Sequence, residues 1–248
     1  MNKVVLITGG GRGIGAATAR LAAQRGYSVA INYVHNRAAA DGVVADIERD
    51  GGRAIAIAAD VSSETEVVRM FETVDRSLGT VTALVNNAGT LEKQMRLDQM
   101  DAPRWSRALA VNVIGSFLCA REAVRRMSTR YGGKGGAIVN VSSGAARLGS
   151  PNEYVDYAAC KGAVDTMTIG LAKEVAEEGI RVNAVRPGYV YTEFHALGGE
   201  PGRVDRIKQS LPMKRGGQPE EVAHAIVWLL SDEASFSTGI FIDVTGGR

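Results

Sequence analysis

The sequence predicts an α/β protein built on a doubly wound parallel sheet, and three observations carry that expectation. Short β-branched apolar runs alternate with longer helical windows along almost the whole chain. Several of those runs are apolar at consecutive positions, as in Val4-Val5-Leu6-Ile7 and Ala137-Ile138-Val139, the pattern of strands buried on both faces. A glycine-rich turn, Thr8-Gly9-Gly10-Gly11-Arg12-Gly13-Ile14-Gly15, joins the first run to the first helix.

The predicted strands cover residues 3–8, 28–32, 53–59, 82–85, 136–141, 180–185 and 240–244, and the helical windows 13–25, 37–50, 64–78, 103–130, 154–178 and 219–231. In the first window Ile14, Thr18, Leu21 and Ala22 fall on one face. Ser63 precedes Glu66 at capping-box spacing. Repeated strand–helix–strand units require right-handed crossovers and helices on both faces of the sheet. An eight-fold barrel also alternates in this way, but it needs an eighth strand, and the glycine turn decides for the open sheet. Residues 189–203, with three glycines and a proline, read as a mobile loop.

With 248 residues, 45% hydrophobic and 23% charged, the chain can bury a sizeable core, and α/β chains of this size are routinely one domain, here 1–248. A net charge of +2 excludes a nucleic-acid or membrane-surface partner as the leading reading. Cys119 and Cys160 form neither a disulfide framework nor a metal-ligand spacing, and His35, His195 and His224 are dispersed, so no metal site is expected. The apolar run at 3–8 is too short for a signal or membrane segment, which makes a cytosolic location the default.

Glycines after a first strand let the backbone turn sharply and approach a pyrophosphate at the helix N-terminus. Gly15 would allow the helix to pack closely. An acid at the end of the second strand would select NAD through the ribose 2′-OH. The segment Ala30-Ile31-Asn32-Tyr33-Val34-His35-Asn36-Arg37 has none, and Arg12 and Arg37 are available to a 2′-phosphate. NADP is therefore expected over NAD.

Further along stand Asn86-Asn87-Ala88-Gly89, Asn112, Ser143, Tyr157-x-x-x-Lys161 and Pro187-Gly188. With the glycine turn, this ordered set resembles the short-chain dehydrogenase/reductases over essentially the whole chain. The resemblance implies a single-domain Rossmann fold. It also implies dinucleotide contacts from Gly9, Gly11, Arg12, Gly13, Ile14 and Gly15, from Tyr33, Asn36 and Arg37 at the 2′ end, and from Asp60 and Val61 at the adenine. Asn87, Ala88 and Gly89 would meet the ribose, and Pro187, Gly188, Val190 and Thr192 the nicotinamide. Tyr157 and Lys161 complete the contacts.

The same resemblance names Asn112, Ser143, Tyr157 and Lys161 as catalytic. A free tyrosine has a pKa of ~10, and a nearby ammonium favours its phenolate. Tyr157 and Lys161, four residues apart on a helix, share a face, so Lys161 is expected to lower the Tyr157 pKa. Tyr154 has Ala158 at the same spacing and no such partner. Ser142 and Ser143 compete for the hydroxyl that steadies the substrate oxygen. Aligning Gly149 with the family's glycine favours Ser143, with one residue inserted in 150–156. Asn112 is implied to hold a proton-relay water, and Cys160 reads as a packing residue.

Substrate contacts are expected from 145–156, 91–99 and the loop after Pro187-Gly188 (about 189–212). These bring Arg147, Glu153, Tyr189, Tyr191, Glu193, Phe194 and His195. A homotetramer is implied by the family. Three readings stay open: a dehydrogenase or reductase of a small alcohol or carbonyl compound such as a sugar, polyol or ketone; a 3-oxoacyl-[acyl-carrier-protein] reductase; and an NADP-binding regulatory protein without turnover.

Overall fold

The computed structural model describes residues 3–248. Strands β1 (Lys3–Ile7), β2 (Tyr27–Tyr33), β3 (Ala54–Ala58), β4 (Ala83–Asn86), β5 (Gly136–Val141), β6 (Ile180–Pro187) and β7 (Phe241–Val244) form one sheet in the order β3-β2-β1-β4-β5-β6-β7, every neighbouring pair parallel. The helices are α1 (Gly13–Gln24), α2 (Arg37–Arg49), α3 (Glu64–Ser77), α4 (Ala102–Leu109), α5 (Gly115–Met127), α6 (Ala145–Leu148), α7 (Val155–Glu174), α8 (Phe194–Leu197), α9 (Arg203–Ile207) and α10 (Pro219–Leu230).

Successive side chains of a strand point to opposite faces, so the unbroken apolar run in β1 serves two layers. Val5 and Ile7 pack with Ala19 of α1, Val43 of α2 and Ile226 of α10, while Val4 and Leu6 pack with Phe71 of α3, Cys119 of α5 and Ala172 of α7. From β1 the chain winds outward to β2 and β3, then returns to start β4 on the other side of β1. That reversal opens a crevice beyond the C-terminal ends of β1 and β4, where α/β sheets bind ligands.

Three local expectations are corrected. The helix predicted over 103–130 is α4 and α5 joined through one π turn, Ala110–Ile114. Asn112 causes the widening: its Nδ2 donates to Ala108 O (2.9 Å) and to Thr90 O (3.2 Å), drawing the turn toward the neighbouring loop. The loop predicted over 189–203 contains α8 and leads directly into α9. The Ser63–Glu66 box closes by half: Ser63 accepts the Glu66 N–H, but the Glu66 carboxylate accepts from Asp60 N (2.9 Å). At the far edge of the sheet β7 pairs with β6 alone.

Candidate active site

The floor of the crevice is built where β1 and β4 end. The Thr8 hydroxyl accepts the N–H groups of Asn87 (3.0 Å) and Ala88 (2.9 Å), and the Asn87 amide donates to the carbonyls of Thr8 (2.9 Å) and Gly9 (3.0 Å). Buried Asn32 accepts from Gly9 N (3.2 Å) and donates to Ala59 O (2.8 Å), tying the turn to β2 and β3. Space here is scarce. A Cβ on Gly15 would lie 2.5 Å from Gly9 O, and one on Gly9 (φ 62°) would lie 3.1 Å from Ala88 Cα.

At its N-terminus α1 carries no side-chain cap and no acid in its first turn. Its first N–H groups are therefore left to a ligand, and the glycine cradle in front of them fits the pyrophosphate of a dinucleotide. The cleft above is lined by Gly9, Arg12, Gly13, Ile14, Asn87, Ala88, Gly89, Ser143, Tyr157, Lys161, Pro187, Gly188, Val190 and Thr192, so most of the expected site residues meet there.

Others do not line it. Gly11 packs against Ala40, and Gly15 lies beneath Gly9. At the ends of β2 and β3, Tyr33, Asn36, Arg37, Asp60 and Val61 stand apart from the main cleft. The Asn36 side chain caps α2 by accepting Ala39 N (3.0 Å), and Arg37 pairs with Asp41 (3.2 Å) in solvent. Asp60 accepts from the N–H and hydroxyl of Ser62 (2.9 and 2.7 Å). The side chain of Arg12, exposed on the cleft, has no hydrogen bond or ion pair among the described residues.

On the opposite wall, Tyr157 and Lys161 project from α7. The Lys161 ammonium donates to Val141 O (2.8 Å) and lies 5.6 Å from the Tyr157 ring centroid. Ser142 and Ser143 take different tasks. The buried Ser142 hydroxyl donates back to Lys161 O (3.3 Å), whereas Ser143 faces the cleft and hydrogen-bonds the Tyr157 phenol. Between Ser143 and Tyr157 the chain passes through Ser150 (φ 43°) and Asn152 (φ 64°), both in left-handed conformations. Asp156 accepts the Tyr157 N–H (2.9 Å) and is itself gripped by Arg104 of α4 (2.6 Å), both side chains nearly fully buried.

Asn112 stands behind this wall. Its Oδ1 accepts Thr90 N (3.0 Å). A Cβ on Gly89 would come within 3.0 Å of that oxygen and 3.9 Å of Lys161 Nζ, so Gly89 is the spacer between the amide and the ammonium.

Electrostatically the pair departs from expectation. Burial is the largest influence on both groups: it pushes the Tyr157 phenol up to about 12, against the Ser143 hydrogen bond, and the Lys161 ammonium down to about 8. The expected lowering of Tyr157 by Lys161 is not found, Ser143 being the one group that lowers it, and at neutral pH the phenol keeps its proton. Burial likewise pushes the Cys160 thiol up to about 11, which suits a packing residue.

Beyond Tyr157 the cleft is walled by Phe194, 5.8 Å away between ring centroids, and by His195, Tyr189 and Glu193. Of the other expected substrate contacts, Arg147 pairs with Asp243 and Tyr191 with Asp205, both off the cleft, and Glu153 stands behind Arg203. Tyr154 and Arg203, within the expected segments 145–156 and 189–212, also line this end, and Arg248, outside all of them, joins them. Arg248 is the last residue of the chain, and no spacing signals it.

The family described as enoyl-(acyl carrier protein) reductase matches over residues 9–248. Among curated proteins, the chain is 60% identical to an uncharacterized oxidoreductase of Escherichia coli (strain K12), over 99% of each chain. It is 39% identical to a 3-oxoacyl-[acyl-carrier-protein] reductase of Synechocystis sp. (99% of this chain, 96% of the relative). It is 36% identical to glucose 1-dehydrogenase 2 of Bacillus subtilis (99% and 94%).

Proposed function

Since the chain belongs to the short-chain dehydrogenase/reductase family, an oxidoreductase family that uses nicotinamide cofactors, we propose that it is an NADP(H)-dependent enzyme acting on the carbonyl or hydroxyl of a small molecule. The observation that carries this reading is the convergence of Ser143, Tyr157 and Lys161 on one wall of the cleft, facing the glycine cradle.

Gly9, Gly13, Ile14 and the N-terminus of α1 would hold the pyrophosphate, Asn87, Ala88 and Gly89 the ribose, and Gly188, Val190 and Thr192 the nicotinamide. When bound, that group gives or takes the hydride. Ser143 donates a hydrogen bond to the substrate oxygen and steadies the charge that develops on it. Tyr157, protonated at neutral pH, delivers its proton to the same oxygen, which suits it to carbonyl reduction. Lys161, held on Val141 O, stabilises the phenolate left behind, and Asn112, across Gly89 from the ammonium, would hold the water through which protons return to it. The missing acid after β2 and the unpaired Arg12 support NADP over NAD, with Arg37 in a lesser role because Asp41 already engages it.

A cytosolic homotetramer of single-domain chains is part of the proposal. Cys119 and Cys160 are free thiols, as in reducing compartments. Leu109, Phe117, Phe236 and Ile240 expose apolar side chains suited to contacts between subunits. The test is a panel of ketones, sugars and 3-oxoacyl thioesters assayed with NADPH and NADH. Oxidation of NADPH in preference to NADH, lost in Tyr157→Phe, is the expected result. Cofactor binding without turnover of any substrate would favour the regulatory reading instead.

A further inference from the structure

Five buried side-chain polar atoms lack a hydrogen-bond partner among the described residues, and two of them, His195 Nδ1 and Arg203 Nη1, belong to residues that line the cleft. An unpartnered buried polar atom is costly unless something else satisfies it. Arg203 is 4% exposed and meets one carboxylate, Glu153, which it shares with Arg206. Its guanidinium stacks over Tyr154 (4.6 Å) and lies 5.5 Å from the Tyr189 ring. A second guanidinium, Arg248, sits 5.4 Å from the same ring and donates to its hydroxyl (3.3 Å).

His195 supplies a different group. Its Nε2 faces Val190 O (3.2 Å), which can only accept, so Nε2 carries the proton and Nδ1 offers a lone pair. Burial and Arg203 push the His195 pKa down, which keeps the ring neutral. Among the described residues, Glu193 is the one acidic side chain lining the cleft, and it is exposed.

We propose that Arg203 and Arg248, flanking Tyr189, form a carboxylate subsite, with His195 Nδ1 accepting from a neighbouring hydroxyl, so that the substrate is a small oxo or hydroxy acid. This rests on the carbonyl chemistry assigned to Tyr157. The ring series Tyr157, Phe194 and His195, with centroids 5.8 and 6.5 Å apart, runs from the proton donor to the subsite. Sugars, polyols and unsubstituted ketones lack the anion that an under-paired guanidinium selects.

The experiment compares kcat/KM for a series of 2- to 5-oxo carboxylates with their methyl esters, using NADPH. At least one acid is expected to exceed its ester by roughly 10- to 100-fold, the range of a charge-assisted hydrogen bond. In Arg203→Met the ratio falls toward one. Glu153→Gln, which removes the competing carboxylate, lowers the KM of the acid and covers the case in which the first variant does not fold. A ratio near one in the unaltered protein, or a ratio that survives Arg203→Met, overturns the proposal. If neither acids nor esters are reduced, the carbonyl chemistry fails. Calorimetric binding of butyrate against butyramide then decides the subsite alone: tighter butyrate supports it and equal affinity refutes it.

Discussion

Lys161→Met should make this protein more stable at neutral pH while removing its activity. Lys161 is 4% exposed and its pKa is about 8 in the fold, against 10.5 in an exposed chain. At pH 7 the ammonium is present in both states but held less tightly in the native one. Holding it costs about 3 kcal/mol, from ~1.4 kcal/mol per pKa unit. Methionine removes that cost and forfeits the hydrogen bond to Val141 O, worth about 1 kcal/mol. The net gain is about 2 kcal/mol at pH 7.

The sign of the pH dependence follows from proton counts. Between pH 8 and pH 10.5 the unfolded chain keeps the lysine proton that the native chain has released. Stability of the unaltered protein therefore rises with pH relative to the variant. By pH 10 the penalty has shrunk to about 1 kcal/mol and the two proteins should be nearly equal. Urea denaturation of both, without cofactor and at matched protein concentration, from pH 7 to pH 10, measures the difference. A gap that stays constant with pH, or a variant less stable at pH 7, would refute the reasoning.

Asn112→Ala leaves the N–H of Thr90 without its acceptor and should cost about 1–3 kcal/mol in urea, with a fall in kcat; unchanged stability would mean that the π turn holds itself. Asp156→Asn breaks a buried ion pair with Arg104 and should cost about 3–5 kcal/mol, read as a lowered denaturation midpoint. In fluorescence titrations Arg12→Leu should reduce the preference for NADPH over NADH by roughly 10-fold or more. Arg37→Leu should do less, because Asp41 already engages that side chain, and the opposite ranking would displace Arg12 from its role.

What could be read in advance was local chemistry. The runs of β1 and β5 have a period that burial on both faces alone explains, and the glycine turn announces itself because few other residues tolerate its backbone. Tyr157 and Lys161 share a face by helical geometry. Contacts between distant segments were not legible. Arg104 and Asp156 are 52 residues apart, and each alone looks like a surface charge. Arg203 and Arg248 meet only through Tyr189. The direction of the Tyr157 shift is not legible in the sequence, because a neighbouring ammonium shows in the spacing whereas the depth of burial does not. The break in the helix at 110–114 came from a loop, at Thr90, that no helical periodicity contains.

The joint between Thr8 and Asn87 bears on how such a site can arise and be moved. The two halves of the crevice floor are separated by 79 positions, and each supplies the hydrogen bonds that shape the other. A fragment ending after β2 would contain every glycine of the motif and Asn32, but neither Asn87 nor Ala88, whose hydrogen bonds pin Thr8 and Gly9. Grafting the motif onto another strand and helix would carry over its letters without its geometry. The turn is a property of assembly, completed only when β4 has docked beside β1, so dinucleotide affinity should report on formation of the whole sheet.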